Sequence, residues 1–207
     1  RGFWAGGDCW KIRYSSPVTG IHTLRTRSLR PDQGLDGQTL QVEVAAYTGD
    51  NPLYQHGGVC RKGDERFLRH QDGTPFFYLA DTWWMGLTTR LAFPEDFHTM
   101  AQDRRDKGYT VIQIVAGLYP DMLPFDERGK NEGGFPWNRD FTEINPAYFD
   151  AADRKILSLV EHGLCPCIVG SWGFFMKFAG KEALKRHWDY LIARWAALPV
   201  IWCAAGE

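Results

Sequence analysis

From residue 76 onward the chain alternates short apolar runs with stretches of helical periodicity. The runs are residues 76–79 (Phe-Phe-Tyr-Leu, leading to Asp81), 110–115 (Thr-Val-Ile-Gln-Ile-Val), 164–169 (Leu-Cys-Pro-Cys-Ile-Val) and 200–203 (Val-Ile-Trp-Cys). Pro94 at a first turn and Gly108 as a stop predict a helix over 94–107, and Asn145-Pro146 with Gly163 bracket a second. Leu184, Trp188, Leu191, Ile192 and Trp195 fall on one face of a third helix. Near-continuous apolar strands separated by helices predict a parallel sheet covered by helices. No glycine-rich phosphate loop follows the first strand, which disfavours a doubly wound nucleotide-binding sheet. A whole barrel takes about 250 residues. The expected fold class is therefore α/β: residues 76–207 form the first half, four strands, of a (β/α)8 TIM barrel.

The first 75 residues have another texture. Residues 10–14, 21–27 and 40–44 alternate apolar and polar positions and are separated by turn-forming segments. Three strands do not close a sandwich, so residues 1–50 predict part of an antiparallel β-sandwich domain. Residues 51–75 read as a Gly-, Asp- and Asn-rich linker with a short hairpin, 66–70 pairing towards Phe76 around a turn at 71–73. The chain is expected to be truncated at both ends, since it starts at Arg1 and stops with four barrel strands. Residues 117–145 are too long for a connector. Phe125, Phe135, Trp137 and Phe141 predict an ordered lid over a pocket there, with Asp126, Glu127 and Glu132 in solvent.

Composition adds material for a core and for stacking surfaces: 9 Trp, 13 Phe and 8 Tyr in 207 residues. The net charge of −1, with basic residues unclustered, argues against a nucleic-acid partner. No apolar run reaches the roughly 20 residues of a membrane span. The 5 cysteines include Cys165 and Cys167 on a strand and Cys203 on another, read as small core residues, and they lack zinc-ligand pairing. The 6 histidines show neither metal nor triad spacing. No metal or cofactor is expected.

On a barrel, catalytic groups gather at the carboxyl ends of the strands. The first strand offers Asp81, Trp83 and Trp84; the second offers Gln113 within it, and Tyr119 and Asp121 beyond it; the third offers Ser171 and Trp172; the fourth ends at Glu207. Aromatic rings beside carboxylates and an amide suit a sugar, the rings stacking on its C–H face while polar groups hold its hydroxyls. Each residue has an ordinary alternative. Trp83 and Trp84 fit packing between the barrel and the β domain equally well, Asp81 fits a turn or helix cap, and Gln113 points either inward or to the helices.

Residues 72–84 (Asp-Gly-Thr-Pro-Phe-Phe-Tyr-Leu-Ala-Asp-Thr-Trp-Trp) resemble the opening of the apiosidase-like glycoside hydrolases. Residues 105–113, 145–149 and 200–207 are further matches, and residues 2–13 with 17–20 are similar to the Ig-like β-sandwich domain found ahead of such barrels. The resemblance implies a retaining glycosidase with catalytic carboxylates on strands four and seven. It puts Glu207 in the acid/base position, with the nucleophile beyond the end of this sequence. Many relatives carry Asp there after paired glycines, and the wider clan carries Asn where Gly206 stands.

The resulting expectation is a glycosidase acting on polysaccharide or oligosaccharide side chains. Glu207 is its catalytic residue, Asp81, Trp83, Trp84, Gln113, Tyr119 and Trp172 contact the carbohydrate, and the protein is secreted or periplasmic. The 207 residues alone are expected to be inactive. A carbohydrate-binding protein without chemistry and a lyase using Asp81 are the competing readings.

Overall fold

The computed structural model describes residues 1–204. The first fifty residues form two separate antiparallel pairs. β1 (Phe3–Trp4) pairs with β2 (Trp10–Lys11), and β3 (Gly20–Arg25) pairs with β4 (Thr39–Val44). Neither pair has a third strand among the described residues. The alternation over 10–14 ends early, because Arg13 turns away from the strand to the helical layer. There it ion-pairs with Asp153, and its Nη1 donates to the Arg194 carbonyl at 2.7 Å. Phe3, 2% exposed, lies between the guanidinium groups of Arg13 and Arg194 at 5.3 and 4.9 Å from its ring centroid. Phe3, Trp4 and Arg13 thus tie this end of the chain to the helical layer.

The linker carries more structure than its composition suggests. After the short helix α1 (Pro52–Gln55), β5 (Val59–Cys60), β6 (Leu68–His70) and β7 (Pro75–Phe76) make a three-stranded antiparallel sheet. The expected hairpin is β6–β7, and β5 adds an edge. Leu53 and Phe76 from this unit pack against Val111, Cys165 and Cys167, the residues that open two barrel strands.

The main sheet is built from β8 (Ala80–Trp83), β9 (Val111–Val115), β10 (Cys165–Val169) and β11 (Ile201–Cys203), joined by α2 (Glu95–Asp106), α3 (Pro146–Glu161) and α4 (Met176–Trp195). All three pairings are parallel, and the spatial order follows the chain order. Each strand adds on the same side, as in part of a TIM barrel, whereas a doubly wound sheet reverses at a switch point. The helices fall where their sequence signals put them. Asn145 caps α3 by accepting from the Ala147 N–H, and α4 bends at Gly180, whose φ of 73° no ordinary helical residue adopts.

The first strand corrects the sequence expectation. Residues 76–79 are not the barrel strand: β7 takes Phe76 into the hairpin, and Phe77 is 72% exposed. The chain joins the sheet only at Leu79, where its N–H donates to Thr110 Oγ1 at 3.1 Å and its carbonyl accepts from the Thr110 N–H at 3.0 Å. Asp81 and Trp83 consequently sit inside β8 rather than beyond its end.

Candidate active site

Strand register decides which residues can reach the mouth. Side chains alternate between the faces of a sheet, and residues paired across parallel strands share a face. Ile112, Ile114 and Ile168 pack with Phe97, Phe149, Ile156, Leu191 and Trp195 of the helices. Asp81 pairs with Ile112 and Trp83 with Ile114, so both face the helices as well. Trp83 is buried edge-on to Phe97 with ring centroids 5.3 Å apart. Asp81 accepts from Arg104 Nε at 2.6 Å, Trp83 Nε1 at 3.0 Å and the Thr82 N–H at 2.8 Å. Burial opposes its ionisation, but those donors and the Arg104 charge outweigh burial, and its pKa lies below the ordinary value. Gln113 pairs with Thr82 and Cys167, on the inner face. The sequence groups Asp81, Trp83 and Gln113; the structure places Gln113 on the opposite face of the sheet from the other two.

Two further expectations are altered. Tyr119 is 1% exposed, and its hydroxyl is 2.7 Å from that of Tyr148. Burial, with Tyr148 beside it, raises its pKa well above the ordinary value, so it is a neutral structural pair. The long segment after β9 is ordered around Phe125, Phe135, Trp137 and Phe141. These rings merge with Leu118, Phe175, Ala183 and Leu184 and so pack on α4 rather than spreading over a pocket. Arg186 of α4 fastens the segment by donating to the Phe141 and Thr142 carbonyls at 2.9 and 3.0 Å. A crevice beneath these rings, about 20 Å³, has room for a water and no more.

The open cleft lies at the carboxyl ends of the strands, as barrel chemistry requires. Its volume is about 310 Å³, and Trp84, Met85, Pro120, Asp121 and Trp172 line it. Trp84 follows β8 directly and Trp172 follows β10 by three residues; their ring centroids are 5.5 Å apart at an interplanar angle of 63°. The two indoles form a corner with one wall from each end of the same sheet segment. Trp84 is 47% exposed and so leaves apolar ring surface open in the cleft. Met85, Pro120 and Asp121 complete the cleft. The sequence pointed to Asp121 only as a residue beyond β9, and it gave no signal for Met85 or Pro120.

Buried polar groups hold the cleft loops. Lys155 of α3, 1% exposed, donates from Nζ to the Thr88 and Leu91 carbonyls at 2.7 and 2.8 Å, tying the loop that begins with Trp84 to the helix layer. Burial lowers its pKa to about 8, with the Glu132 carboxylate opposing the shift. His187 is fully buried, and its Nδ1 accepts from Trp137 Nε1 at 3.2 Å. An indole N–H only donates, so the imidazole proton is on Nε2, which donates to the Gly170 carbonyl at 2.8 Å and fixes the turn before Trp172.

The thiols of β10 face inward. Burial pushes Cys165 up to about 12 and raises Cys167 too, which makes them poor nucleophiles. Glu207, the residue with the proposed chemistry, lies outside the described residues, four positions beyond Cys203 at the end of β11.

Comparison with known proteins agrees with this architecture. The model of the family described as "Apiosidase-like, catalytic domain" matches residues 62–207. No curated protein matches the sequence significantly. A candidate glycoside hydrolase from Bacteroides vulgatus superimposes with a TM-score of 0.70 at 19% identity, over 100% of this chain and 42% of that one. A second solved structure, named a glycoside hydrolase, gives 0.62 at 23% identity over 77% and 36% of the two chains. A glycoside hydrolase family 5 protein from Bacteroides vulgatus gives 0.62 at 22% over 74% and 33%. At these identities the likeness shows the fold alone, and this chain spans less than half the length of each. The family match covers well over half of the residues and contains all four parallel strands: the chain belongs to the apiosidase-like family.

Proposed function

We propose that this chain carries the acid/base half of a retaining glycosidase acting on polysaccharide or oligosaccharide side chains. The observation that carries the reading is the corner formed by Trp84 and Trp172 at the carboxyl ends of β8 and β10. Paired indoles at a barrel mouth suit the C–H faces of a sugar ring. Gln113, on the inner face, is the amide available to a hydroxyl. Glu207, just beyond β11 in sequence, is the proton donor of this mechanism.

In the first step protonated Glu207 donates to the leaving glycosidic oxygen while a second carboxylate, about 5–5.5 Å away, attacks the anomeric carbon. The resemblance assigns that nucleophile to a seventh strand. Glu207 then acts as base towards water. To be protonated at neutral pH it needs apolar walls and the nucleophile's negative charge, both of which raise a carboxyl pKa. The family match over residues 62–207 supports glycosidase chemistry.

The test is Glu207→Gln in the full-length gene product, assayed by sugar release from plant-type polysaccharides. Turnover should fall by at least about 100-fold with the unfolding temperature unchanged. Normal turnover in the variant removes Glu207 from the mechanism. Sugar binding without hydrolysis by the unaltered protein would instead favour a carbohydrate-binding role.

A further inference from the structure

Lys155 is buried in the middle of α3, and its hydrogen bonds leave its own helix. Nζ donates to the Thr88 and Leu91 carbonyls, and a Glu132 carboxylate oxygen stands 4.0 Å away. Each contact leads towards a wall of the cleft. Thr88 is fully buried, and its N–H and hydroxyl both donate to the Met85 carbonyl, at 3.0 and 2.8 Å. The carbonyl that Lys155 holds therefore belongs to a closed turn over residues 85–88. Trp84 and Met85, at the start of that turn, line the cleft.

The segment after β9 is joined to the same place. The Thr89 N–H donates to the Lys130 carbonyl at 3.1 Å, and Asn131 Nδ2 donates to the Tyr148 carbonyl of α3 at 2.9 Å. Packing alone does not call for an ammonium at position 155. Its neighbours along the helix, Ala152, Ile156 and Leu159, belong to the apolar core. A buried charge opposes folding unless its hydrogen bonds are made, and here they are made to the loop. Charge-assisted bonds are roughly twice as strong as neutral ones, which suits a group that holds a loop in one place.

We propose that Lys155 is a positioning residue for the candidate site. By clamping the loop after β8 to α3 it sets Trp84 at its angle to Trp172, and so shapes the surface offered to a sugar ring. This rests on the carbohydrate reading of the cleft and adds the group that holds its Trp84 wall.

The experiment uses the full-length gene product and reads the indole corner in two ways. Two indoles 5.5 Å apart at 63° couple optically, and the circular-dichroism couplet they give depends on that angle. The Trp188–Trp202 pair, 6.1 Å apart, adds a second couplet, which subtracting the Trp84→Phe spectrum removes. Sugar affinity is measured by calorimetric titration with arabinan, xyloglucan, mannan and polygalacturonate. Lys155→Met keeps a long side chain and removes the donors; Thr88→Val leaves Lys155 in place and cuts the hydroxyl bond to Met85. Asn51→Ala is the control. It removes a donor to the Val160 carbonyl of the same helix, at the end that packs with the strand starts, and leaves the loop untouched.

The expected result is a diminished couplet and about tenfold weaker binding in Lys155→Met and Thr88→Val, as a displacement of roughly 1 Å can produce. Asn51→Ala should keep both. If Lys155→Met fails to fold, Thr88→Val decides. An unchanged couplet and affinity in Thr88→Val, or an equal loss in Asn51→Ala, overturns the positioning role and leaves the carbohydrate reading standing. Binding of none of the four polymers by the unaltered protein overturns the carbohydrate reading and the role with it, whatever the couplet does.

Discussion

Arg104 Nε lies 2.6 Å from Asp81 Oδ2, and the pair sits between β8 and α2, on the helix side of the sheet. With Thr82 and Trp83 also donating, the carboxylate is ionised and fully engaged. A lyase base needs a carboxylate free to take a proton from substrate, so this geometry disfavours that competing reading. Arg104→Gln should lower stability by about 1–2 kcal/mol. Because the folded pKa of Asp81 is depressed, its contribution is full above the unfolded value near pH 4 and is lost as pH falls through the lower folded value. Urea unfolding should show the gap between the two proteins narrowing from pH 6 to pH 3; a gap independent of pH would refute the assignment.

Lys155 anchors the loop that starts at Trp84 through two carbonyls. Lys155→Met should cost about 2–3 kcal/mol, since both acceptors lose their donor in a buried place. The folded pKa of about 8 is below the unfolded value of about 10.4. The folded state therefore releases the proton first, and this group adds stability as pH rises from about 8 towards 10. Denaturant titrations of both proteins at pH 7 and pH 9.5 would show that rise in the unaltered protein only.

The burial of His187 holds its pKa down to about 4, although the Gly170 and Ala116 carbonyls favour the charged form. The unfolded chain takes up the proton near pH 6.5, so this residue's contribution to stability is lost as pH falls from about 6.5 towards 4. NMR of the imidazole should show neutral His187 with Nε2 protonated throughout pH 5–8. A midpoint inside that range would contradict the Trp137–His187–Gly170 arrangement.

Removing the Trp84 wall of the indole corner should affect ligand more than fold. Trp84 is half-exposed and its contact with Trp172 is edge-on, worth about 1 kcal/mol. Trp84→Ala should weaken sugar binding about tenfold or more while moving the unfolding temperature by only a few degrees, as read by calorimetry with and without ligand, whereas Trp172→Ala, which also removes packing on two core clusters, should lower the unfolding temperature further.

Gly133 is required by proximity. A Cβ there would stand 2.1 Å from the Ala147 carbonyl oxygen in the first turn of α3. The carbonyls of Gly133 and Phe135 also accept from Asn145 Nδ2, both at 2.8 Å. Gly133→Ala should cost about 1–3 kcal/mol and speed protease cleavage within residues 117–145, measured by limited proteolysis.

Much of the architecture was legible because it rests on local patterns. The apolar face of α4, the Asn145-Pro146 start of α3 and the continuous apolar runs of β9 and β10 are set by periodicity and capping, which neighbouring residues specify on their own. The motif over residues 72–84 carried the family. Register and side-chain direction are not local properties. Residues 76–79 and 80–83 are both plausible strands, and the choice between them came from Thr110 binding Leu79 while Phe76 joined the hairpin. That shift brought Asp81 and Trp83 inside the strand, where pairing with Ile112 and Ile114 turns them to the helices. Trp84 and Trp172 met because the sheet brings the ends of β8 and β10 to one rim, and Asp121 joined them through a left-handed turn. Sequence fixes which side chains are available; only the packed sheet decides which face each one occupies, because a strand's side chains alternate and a one-residue change of register moves them all to the other face.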